Sequence, residues 1–186
     1  ATDSAPLEAQ ANERATAEAV NAQTAAKIPA QAAKTVEENG SLIANGDFQT
    51  DTNGDGVPDS WNRPSDGLSY VTEDNNRFMR LHSSVPGKLV MAYRIFGVPR
   101  GTRALQLSWR QRITDLKPGK NPWFDARIMM NWKDAAGNKL KGSPSPPYTR
   151  KDTDGWVAKT IQFLVPEDAV SLEWMPSLFQ VDSGTF

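Results

Sequence analysis

The sequence predicts an all-β protein, an antiparallel β-sandwich, on two observations. From Ser41 onward, short runs of alternating apolar residues are separated by Gly, Pro, Asn and Asp, which is the pattern of strands joined by turns. No convincing helical pattern lies between these runs. Eight or nine short strands in succession are typical of a sandwich or a jelly roll.

Residues 1–40 have a different composition and are predicted to be a separate extension. They are rich in Ala, Gln, Glu, Asn and Thr, and their larger apolar residues are Leu7, Val20, Ile28 and Val36. The alanines favour helix, but no apolar stripe recurs at helical spacing. We therefore expect an Ala-rich spacer or a partner-stabilised helical extension, followed by one β-sandwich domain over residues 41–186.

The strands are predicted in order from these runs. They are 41–44, 68–72, 78–82, 89–96, 104–113, 125–132, 157–165, 170–174 and a last short strand within 179–186. Turns are predicted between them from Gly, Pro, Asn and Asp pairs such as Pro86-Gly87 and Asp154-Gly155.

Side-chain alternation assigns a buried and an open face to two of these strands. The predicted core faces are Leu105, Leu107 and Trp109 in one strand and Ala126, Ile128, Met130 and Trp132 in the other. The opposite faces carry polar residues at regular spacing. We expect Arg110, Arg112, Arg127 and Asn131 to share one face that is open to a ligand.

Composition excludes several classes of function. The chain has 186 residues and no cysteine, which excludes disulfides, thiolate zinc sites and cysteine nucleophiles. No apolar run is long enough for a transmembrane helix, so no membrane span is expected. The net charge of −1 argues against a nucleic-acid partner.

Charge is unevenly distributed along the chain. Between Lys88 and Lys159 there are 15 basic and 5 acidic residues, a balance of 15 − 5 = +10. The segments on either side are acidic. This asymmetry indicates either ordinary solvated faces or a surface that attracts an anionic polymer.

The loop from Asp51 to Asp59 has the donor spacing of a calcium site. Oxygen-bearing side chains stand at positions 1, 3, 5 and 9, Gly56 stands at position 6, and the Val57 carbonyl falls at position 7. The predicted ligands are Asp51, Asn53, Asp55, Val57 and Asp59. Asn62 stands at position 12 instead of Glu, and no helix flanks the loop. The alternatives are a structural calcium site and an Asp-Gly-rich turn without metal.

Several motifs, in this order, resemble the jelly-roll carbohydrate-binding modules attached to bacterial glycoside hydrolases. They are Leu42 to Phe48 with its Asn45-Gly46-Asp47-Phe48, then Pro58-Asp59-Ser60-Trp61, Leu107-Ser108-Trp109, Trp156 to Pro166, and Ser183 to Phe186. The resemblance implies a non-catalytic module that targets an attached secreted enzyme to plant or algal polysaccharide, in a secreted or cell-surface bacterial protein.

Two departures from this family pattern concern calcium and the last strand. The family often has Glu after the opening Phe as a calcium ligand, and Gln49 stands there in this chain. The family's last strand usually continues past an aromatic residue with an Asp pair. We therefore expect the domain to be truncated at its last strand, and a second calcium site to be less secure than the Asp51–Asp59 loop.

Sugar rings are held by flat aromatic side chains and by hydrogen-bonding groups. Trp61, Trp109, Trp132 and Trp174 lie in apolar patterns and are predicted to be core. The candidate carbohydrate-binding residues are the three aromatic residues near loops or strand ends and the four polar residues of the predicted open face: Trp123, Tyr148, Trp156, Arg110, Arg112, Arg127 and Asn131.

Catalysis by the chain itself is not expected. His82 is the only histidine, and no nucleophile elbow or phosphate-binding loop is present. Glu173 is the only acidic residue inside a confidently predicted strand, whereas glycoside hydrolysis needs two carboxylates across a cleft. The competing hypothesis is a calcium-stabilised structural, adhesion or protein-interaction module of a secreted multidomain protein.

Overall fold

The computed structural model describes residues 40–186, which form eleven strands and no helix. The strands are β1 (Leu68–Glu73), β2 (Asn76–Ser83), β3 (Val90–Met91), β4 (Arg94–Gly97), β5 (Ala104–Gln111), β6 (Thr114–Lys117), β7 (Ala126–Lys133), β8 (Tyr148–Thr149), β9 (Val157–Leu164), β10 (Ser171–Leu178) and β11 (Ser183–Thr185). All pairings are antiparallel. The predicted all-β sandwich is confirmed, and the predicted extension over 1–40 lies outside the described residues except for Gly40.

The strands form two layers around an apolar interior. The first layer contains a four-stranded sheet in the order β1-β2-β11-β6 and the pair β5-β9. The second layer has the order β3-β10-β7-β8, with β4 also paired to β10. Residues of both layers meet in two buried clusters, one around Trp132 and Trp174 and one around Leu81 and Leu178.

Strand alternation places the predicted core correctly. Ala126, Ile128, Met130 and Trp132 on β7 are all buried. Leu107 is buried on β5, and Leu105 and Trp109 are partly buried against the same cluster. Trp61 and Trp174 are also buried. The bulky apolar face of each layer thus covers the other, which is the main driving force for this fold.

The predicted strand 89–96 is two short strands. β3 and β4 both pair with β10, and the interruption faces Pro176 of β10. A proline has no N–H, so the ladder loses a hydrogen bond there, and the bond from Ala92 N to Pro176 O at 3.1 Å remains. The short strands β6 and β8 were not predicted as separate elements.

The predicted strand 41–44 is wrong, because residues 41–48 form bends and turns over the edge of the core. Asn45 and Phe48 have φ values of 51° and 65°, which no strand accommodates. The Asn45 side chain donates to the carbonyls of Thr50 and Asp59, and its backbone carbonyl accepts from the Trp61 indole at 2.8 Å. Phe48 packs on Trp61 with ring centroids 4.5 Å apart. The Asn-Gly-Asp-Phe motif therefore anchors a loop.

Within residues 40–186, the structure has no helix long and apolar enough to cross a membrane.

Candidate functional site

The predicted row of polar residues is divided between two sheets. Arg110 lies on β5 and Arg112 directly follows it, whereas Arg127 and Asn131 lie on β7 in the other layer. The expectation that these four side chains share one open face is therefore wrong. Alternation describes the two faces of a single strand, but it does not say which strands are neighbours.

Arg110, Arg112 and Trp156 come together on the outer side of the first layer. The Arg112 guanidinium lies 4.9 Å from the centroid of the Trp156 ring, and the Arg110 guanidinium lies 5.8 Å from it. Phe78 of β2 meets Trp156 edge-on at 4.9 Å, and Arg112 also lies over Phe78 at 5.5 Å. Arg80 lies two residues along β2. We call these five residues, Phe78, Arg80, Arg110, Arg112 and Trp156, the arginine–aromatic surface.

Hydrogen bonds hold the arginine–aromatic surface in place. Arg112 donates to both carboxylate oxygens of Glu73, at 2.8 and 2.9 Å. This bidentate bond lowers the pKa of Glu73 and raises that of Arg112, since each charge stabilises the other. Arg80 donates to the Ser69 hydroxyl at 3.3 Å. Three arginines and one glutamate leave a positive balance here.

A ladder of polar side chains continues this surface across β5 and β9. Gln162 donates to Gln106 at 2.9 Å, and the hydroxyls of Ser108 and Thr160 lie 3.1 Å apart. These cross-strand pairs lie on the same outward face as Arg110 because the strands pair residue for residue. They place amide and hydroxyl groups along the strands that lead away from Arg110 and Trp156.

Sequence reasoning missed the contribution of β2 to this site. Phe78 and Arg80 alternate with the inward-facing Met79 and Leu81, so their outward direction was predictable from the strand pattern. Their proximity to Arg112 and Trp156 was not, because β2 and β5 are distant in sequence and do not pair.

A groove of about 370 Å³ opens between β2 and β5 beside the arginine–aromatic surface. Its walls include Phe78 and Arg80 on one side and Trp109 to Arg112 on the other. Trp61, Ile128 and Trp174 of the core also line it. The groove therefore passes through the first layer and reaches the interior.

Arg127 is engaged inside the fold. Its guanidinium donates to both carboxylate oxygens of Asp125, at 2.6 and 3.0 Å, and lies 5.4 Å from the Phe179 ring centroid. Asp125 is fully buried and the Arg127 side chain is 10% exposed. This geometry indicates a structural ion pair, although one edge of Arg127 lines a cavity that Tyr148 also lines.

Asn131 belongs to a polar cluster centred on Glu173 of β10. Asn131 donates to one Glu173 oxygen at 3.0 Å, Tyr93 donates to the other at 2.7 Å, and the Lys133 ammonium lies 3.4 Å away. Burial opposes ionisation of Glu173, but these hydrogen bonds and the Lys133 charge outweigh it and lower the pKa of the carboxyl. Glu173 is thus a stabilised carboxylate.

The remaining two aromatic candidates lie apart from the arginine–aromatic surface. Tyr148 on β8 is exposed and lines a second cavity of about 620 Å³ with Trp109, Lys159 and Arg127. Trp123 packs edge-on against Phe124 in a loop that Arg150 holds by donating to the carbonyls of Asn121, Pro122 and Phe124.

The Asp51–Asp59 loop folds back on its own backbone. Asn53 accepts from the amide of Asp55, Asp55 accepts from that of Val57, and Asp51 accepts from that of Gly56, all at about 3.0 Å. Gly54 and Gly56 have φ values of 68° and 83°, a conformation that glycine adopts without strain. Asp59 accepts from Thr52, and Asp55 pairs with Arg63 at 3.0 Å.

Asp51 is the loop residue that best fits a cation. Its side chain is 6% exposed, and its Oδ1 atom is buried without a hydrogen-bond partner within residues 40–186. Burial raises the pKa of this carboxyl, but the Arg77 guanidinium at 3.0 Å and the loop amides have the larger, opposite effect. The net pKa is therefore lowered, and the group is ionised at neutral pH. An orphaned anionic oxygen is costly unless a proton donor or a cation meets it.

The acidic side chains of the loop do not converge. The described part of the chain contains no group of three or more His, Asp or Glu side chains placed to hold a metal. A cation at Asp51 would therefore draw its other ligands from amide and carbonyl oxygens, such as those of Asn53 and Val57, and from water. Calcium tolerates such a mixed oxygen shell.

The side chain of Gln49 takes the place of a neighbouring strand at the edge of β2. Its side-chain oxygen accepts from the Arg77 amide at 3.2 Å, and its nitrogen donates to the Arg77 carbonyl at 2.9 Å. The side chain thus pairs with the edge of β2 in the manner of a neighbouring backbone.

No protein-family model matches the sequence, and a search of curated proteins finds no match. Two of the solved structures that match differ in how well they superpose. The enzymatically active domain of tailspike protein 4 of bacteriophage CBA120 superposes with a TM-score of 0.53 at 14% identity, over 77% of this chain and 20% of that chain. The CBM22-1 xylan-binding domain of Paenibacillus barcinonensis Xyn10C gives a TM-score of 0.36 at 11% identity, over 63% of this chain and 74% of that one.

The chain thus spans about a fifth of the tailspike chain that it matches. At 14% identity, that similarity concerns the fold alone. The strand pairings show that residues 40–186 form an antiparallel β-sandwich.

Proposed function

We propose that the domain is a non-catalytic polysaccharide-binding module whose binding site is the arginine–aromatic surface. The observation that carries the proposal is the placement of Trp156. Two guanidinium groups and the edge of Phe78 surround its ring on the outer side of a sheet.

The chemistry of this surface suits a sugar chain. A pyranose presents an apolar C–H face to an aromatic ring and a rim of hydroxyls to hydrogen-bonding groups. Trp156 and Phe78 supply the rings, and Arg110, Gln106 and Ser108 supply donors and acceptors along one strand. The motif order that resembles bacterial carbohydrate-binding modules supports the same assignment.

The charge of the surface favours an anionic polysaccharide. Arg112 is neutralised by Glu73, whereas Arg80 and Arg110 have no ion-pair partner within residues 40–186. Two guanidinium groups that lack an ion-pair partner in this part of the chain match uronate or sulfate groups. Binding is therefore expected to weaken with added salt, because screening reduces attraction at an exposed surface.

Affinity electrophoresis of Trp156→Ala tests the assignment. The panel should include neutral glycans, such as xylan and cellulose derivatives, and acidic or sulfated ones. Loss of the ring is expected to weaken binding by about tenfold, which corresponds to ~1.4 kcal/mol. Trp123→Ala is the matched control, since Trp123 lies away from the surface and should leave affinity unchanged. If Trp123→Ala weakens glycan binding as much as Trp156→Ala does, the arginine–aromatic surface is not the binding site.

We also propose that the Asp51–Asp59 loop binds a structural calcium ion through Asp51, Asn53, Asp55, Val57 and Asp59. The buried, unpartnered Oδ1 atom of Asp51 supports this role. Within residues 40–186 no group of three or more acidic side chains is placed to hold the ion, so the other side chains would exchange their bonds to loop amides for bonds to the ion.

Thermal unfolding with calcium and with chelator tests the ion. Calcium should raise the unfolding temperature because it binds the folded chain and not the unfolded one. Asp51→Asn should abolish that increase, whereas the exposed Asp168→Asn should preserve it. An unfolding temperature that does not respond to calcium would favour the alternative, a glycine-rich turn without metal.

We further propose that the domain is attached to a catalytic domain in a secreted or cell-surface bacterial protein. The domain itself is assigned no catalytic step, because Glu173 is held as a carboxylate by Tyr93, Asn131 and Lys133 and is not poised as a general acid. Incubation with soluble glycans followed by a reducing-end assay would expose any hydrolysis.

The competing function is a calcium-stabilised adhesion or protein-interaction module. The groove between β2 and β5 favours it, because unpaired strand edges are surfaces that other polypeptides recognise. That hypothesis predicts no affinity for any glycan in the panel and oligomers that disappear when residues 1–40 are removed.

A further inference from the structure

We propose that Asn53 is a site of spontaneous covalent modification, where the side-chain amide is lost and aspartate or isoaspartate is formed. The backbone nitrogen of Gly54 attacks the side-chain carbonyl carbon of Asn53. A new C–N bond closes a succinimide ring, and the side-chain nitrogen leaves as ammonia with the amide proton of Gly54. Water then opens the ring at either carbonyl, which gives aspartate or its isomer with the main chain routed through the side-chain carbon.

The chain contains Asn followed by Gly at three places, which are Asn39, Asn45 and Asn53. Glycine favours this reaction, because it has no Cβ atom to obstruct the attacking nitrogen and its backbone reaches angles that other residues avoid. Asn39 lies outside the described residues. Asn45 and Asn53 have the same next residue, so any difference between them in the folded protein is set by the structure.

Asn45 is held against the reaction. Its side-chain nitrogen, which would be the leaving group, donates to the carbonyls of Thr50 and Asp59 at 2.8 and 2.9 Å. Its side-chain oxygen accepts from the Thr50 amide at 3.0 Å. The backbone after it is also confined, since a Cβ atom on Gly46 would stand 3.2 Å from the Ile43 side chain. Ring closure at Asn45 therefore requires this turn to open.

Asn53 has none of these restraints. The residue is exposed, and its side-chain nitrogen donates no hydrogen bond within residues 40–186. Among the described residues, no atom lies within 4 Å of the place where a Cβ atom of Gly54 would stand. The backbone at this point can therefore rotate into the attacking position without displacing a neighbour.

The one hydrogen bond of the Asn53 side chain favours the attack. Its oxygen accepts from the Asp55 amide at 3.0 Å. Negative charge develops on this oxygen as the Gly54 nitrogen adds to the carbonyl carbon. A backbone N–H already directed at that oxygen stabilises the developing charge. The loop thus combines an unhindered nucleophile, a free leaving group and a donor for the oxyanion.

The product changes the charge of the Asp51–Asp59 loop. Conversion of Asn53 adds a carboxylate to a segment that already contains Asp51, Asp55 and Asp59. Aspartate can still accept from the Asp55 amide, whereas isoaspartate lengthens the main chain and displaces that bond. An added carboxylate raises the affinity of an oxygen-ligand site for calcium. This consequence rests on the proposed calcium site, but the modification itself does not.

Peptide mapping by mass spectrometry tests the modification. The full chain is incubated in mildly alkaline buffer with chelator, once folded and once in urea, and the acidic products at Asn45 and Asn53 are quantified over time. In the folded protein, Asn53 should convert at least about tenfold faster than Asn45. In urea the two rates should converge, because both residues precede glycine. Gly54→Ala should slow conversion at residue 53 in urea and leave Asn45 unchanged there.

Equal rates at Asn45 and Asn53 in the folded protein would overturn the proposal. A difference that persists undiminished in urea would overturn its structural basis, because neighbouring sequence alone would then set the rates. The urea arm does not depend on how well any variant folds.

Thermal unfolding with calcium tests the consequence separately. Asn53→Asp reproduces the aspartate product and should increase the rise in unfolding temperature that a fixed calcium concentration gives, whereas Asn53→Ala should reduce it. The same rise in Asn53→Asp and the wild type would contradict the predicted effect on the ion site. If no form of the protein responds to calcium, the proposed calcium site is wrong, and the peptide maps still decide the modification.

Discussion

At the residue scale, the environment decides what each arginine does. Arg112 and Arg127 both make bidentate bonds to a carboxylate, with Glu73 and Asp125 respectively. The first pair lies partly exposed on the outer surface and the second is buried. A buried ion pair that loses one partner leaves an uncompensated charge in the interior, whereas water screens an exposed one.

Substitution of these carboxylates should separate the two cases. Asp125→Ala is expected to lower the free energy of unfolding by about 3–5 kcal/mol, because it leaves the buried Arg127 guanidinium without its counterion. Glu73→Ala should have a much smaller effect. Urea titration followed by tryptophan fluorescence measures both. Similar losses for the two variants would show that Arg127 is hydrated in the folded protein.

Glu173 should contribute a pH-dependent part of the stability. Its pKa is lowered from the ordinary value of 4.5 in the folded state, so its stabilisation is fully present above that value. The contribution is lost as pH falls through the lowered pKa, because the folded carboxylate must then take up a proton. The difference in unfolding free energy between the wild type and Glu173→Gln should therefore be constant near neutral pH and shrink below about pH 4.5. A difference that grows in acid would contradict this sign.

At the element scale, local backbone geometry explains where strands turn and stop. The β1–β2 hairpin turns through Asp74 and Asn75, whose φ values are 48° and 61°. Two positive φ values in a two-residue loop are typical of a type I′ turn, whose twist matches that of the flanking strands. Asn and Asp tolerate this conformation better than other residues with a Cβ atom.

Substitutions at Asn75 should report on this turn. Asn75→Gly is expected to keep or slightly raise the unfolding temperature, because glycine adopts positive φ freely. Asn75→Val should lower the free energy of unfolding by about 1–2 kcal/mol, the cost of a left-handed conformation for a residue with a Cβ atom. Differential scanning calorimetry distinguishes the two, and equal unfolding temperatures would mean that the turn relaxes to another type.

At the scale of the whole molecule, the two layers that the structure describes share a common core. Within residues 40–186, both buried clusters combine side chains of the two layers, from Ile43 to Phe186. The apolar burial between the two layers stabilises this part of the chain.

Because the composition of residues 1–40 indicates a separate spacer, a variant that begins at Gly40 should unfold cooperatively at the same temperature as the full chain and keep the same affinity for glycans. Calorimetry and affinity electrophoresis on the two proteins measure this. A lower unfolding temperature would assign a structural role to residues 1–39, and lost glycan affinity would favour the interaction module over the polysaccharide-binding module.

The sequence by itself determined the class of fold, most strand positions and the inward faces of β5 and β7. These features follow from local rules: alternation along one strand and the turn preferences of Gly, Pro, Asn and Asp. The same rules failed at residues 41–44, where an apolar run packs on the core as a loop around Asn45. They also failed at residues 89–96, where Pro176 of another strand interrupts the ladder.

Only the tertiary structure decided which side chains meet. Alternation showed that Arg110 and Arg127 each oppose a core face, but the pairing of strands distant in sequence put one beside Trp156 and buried the other against Asp125. The groove between β2 and β5 is likewise a property of two strands that do not follow one another along the chain. Local pattern sets the direction of a side chain, whereas long-range pairing sets its neighbours, and the candidate site depends on neighbours.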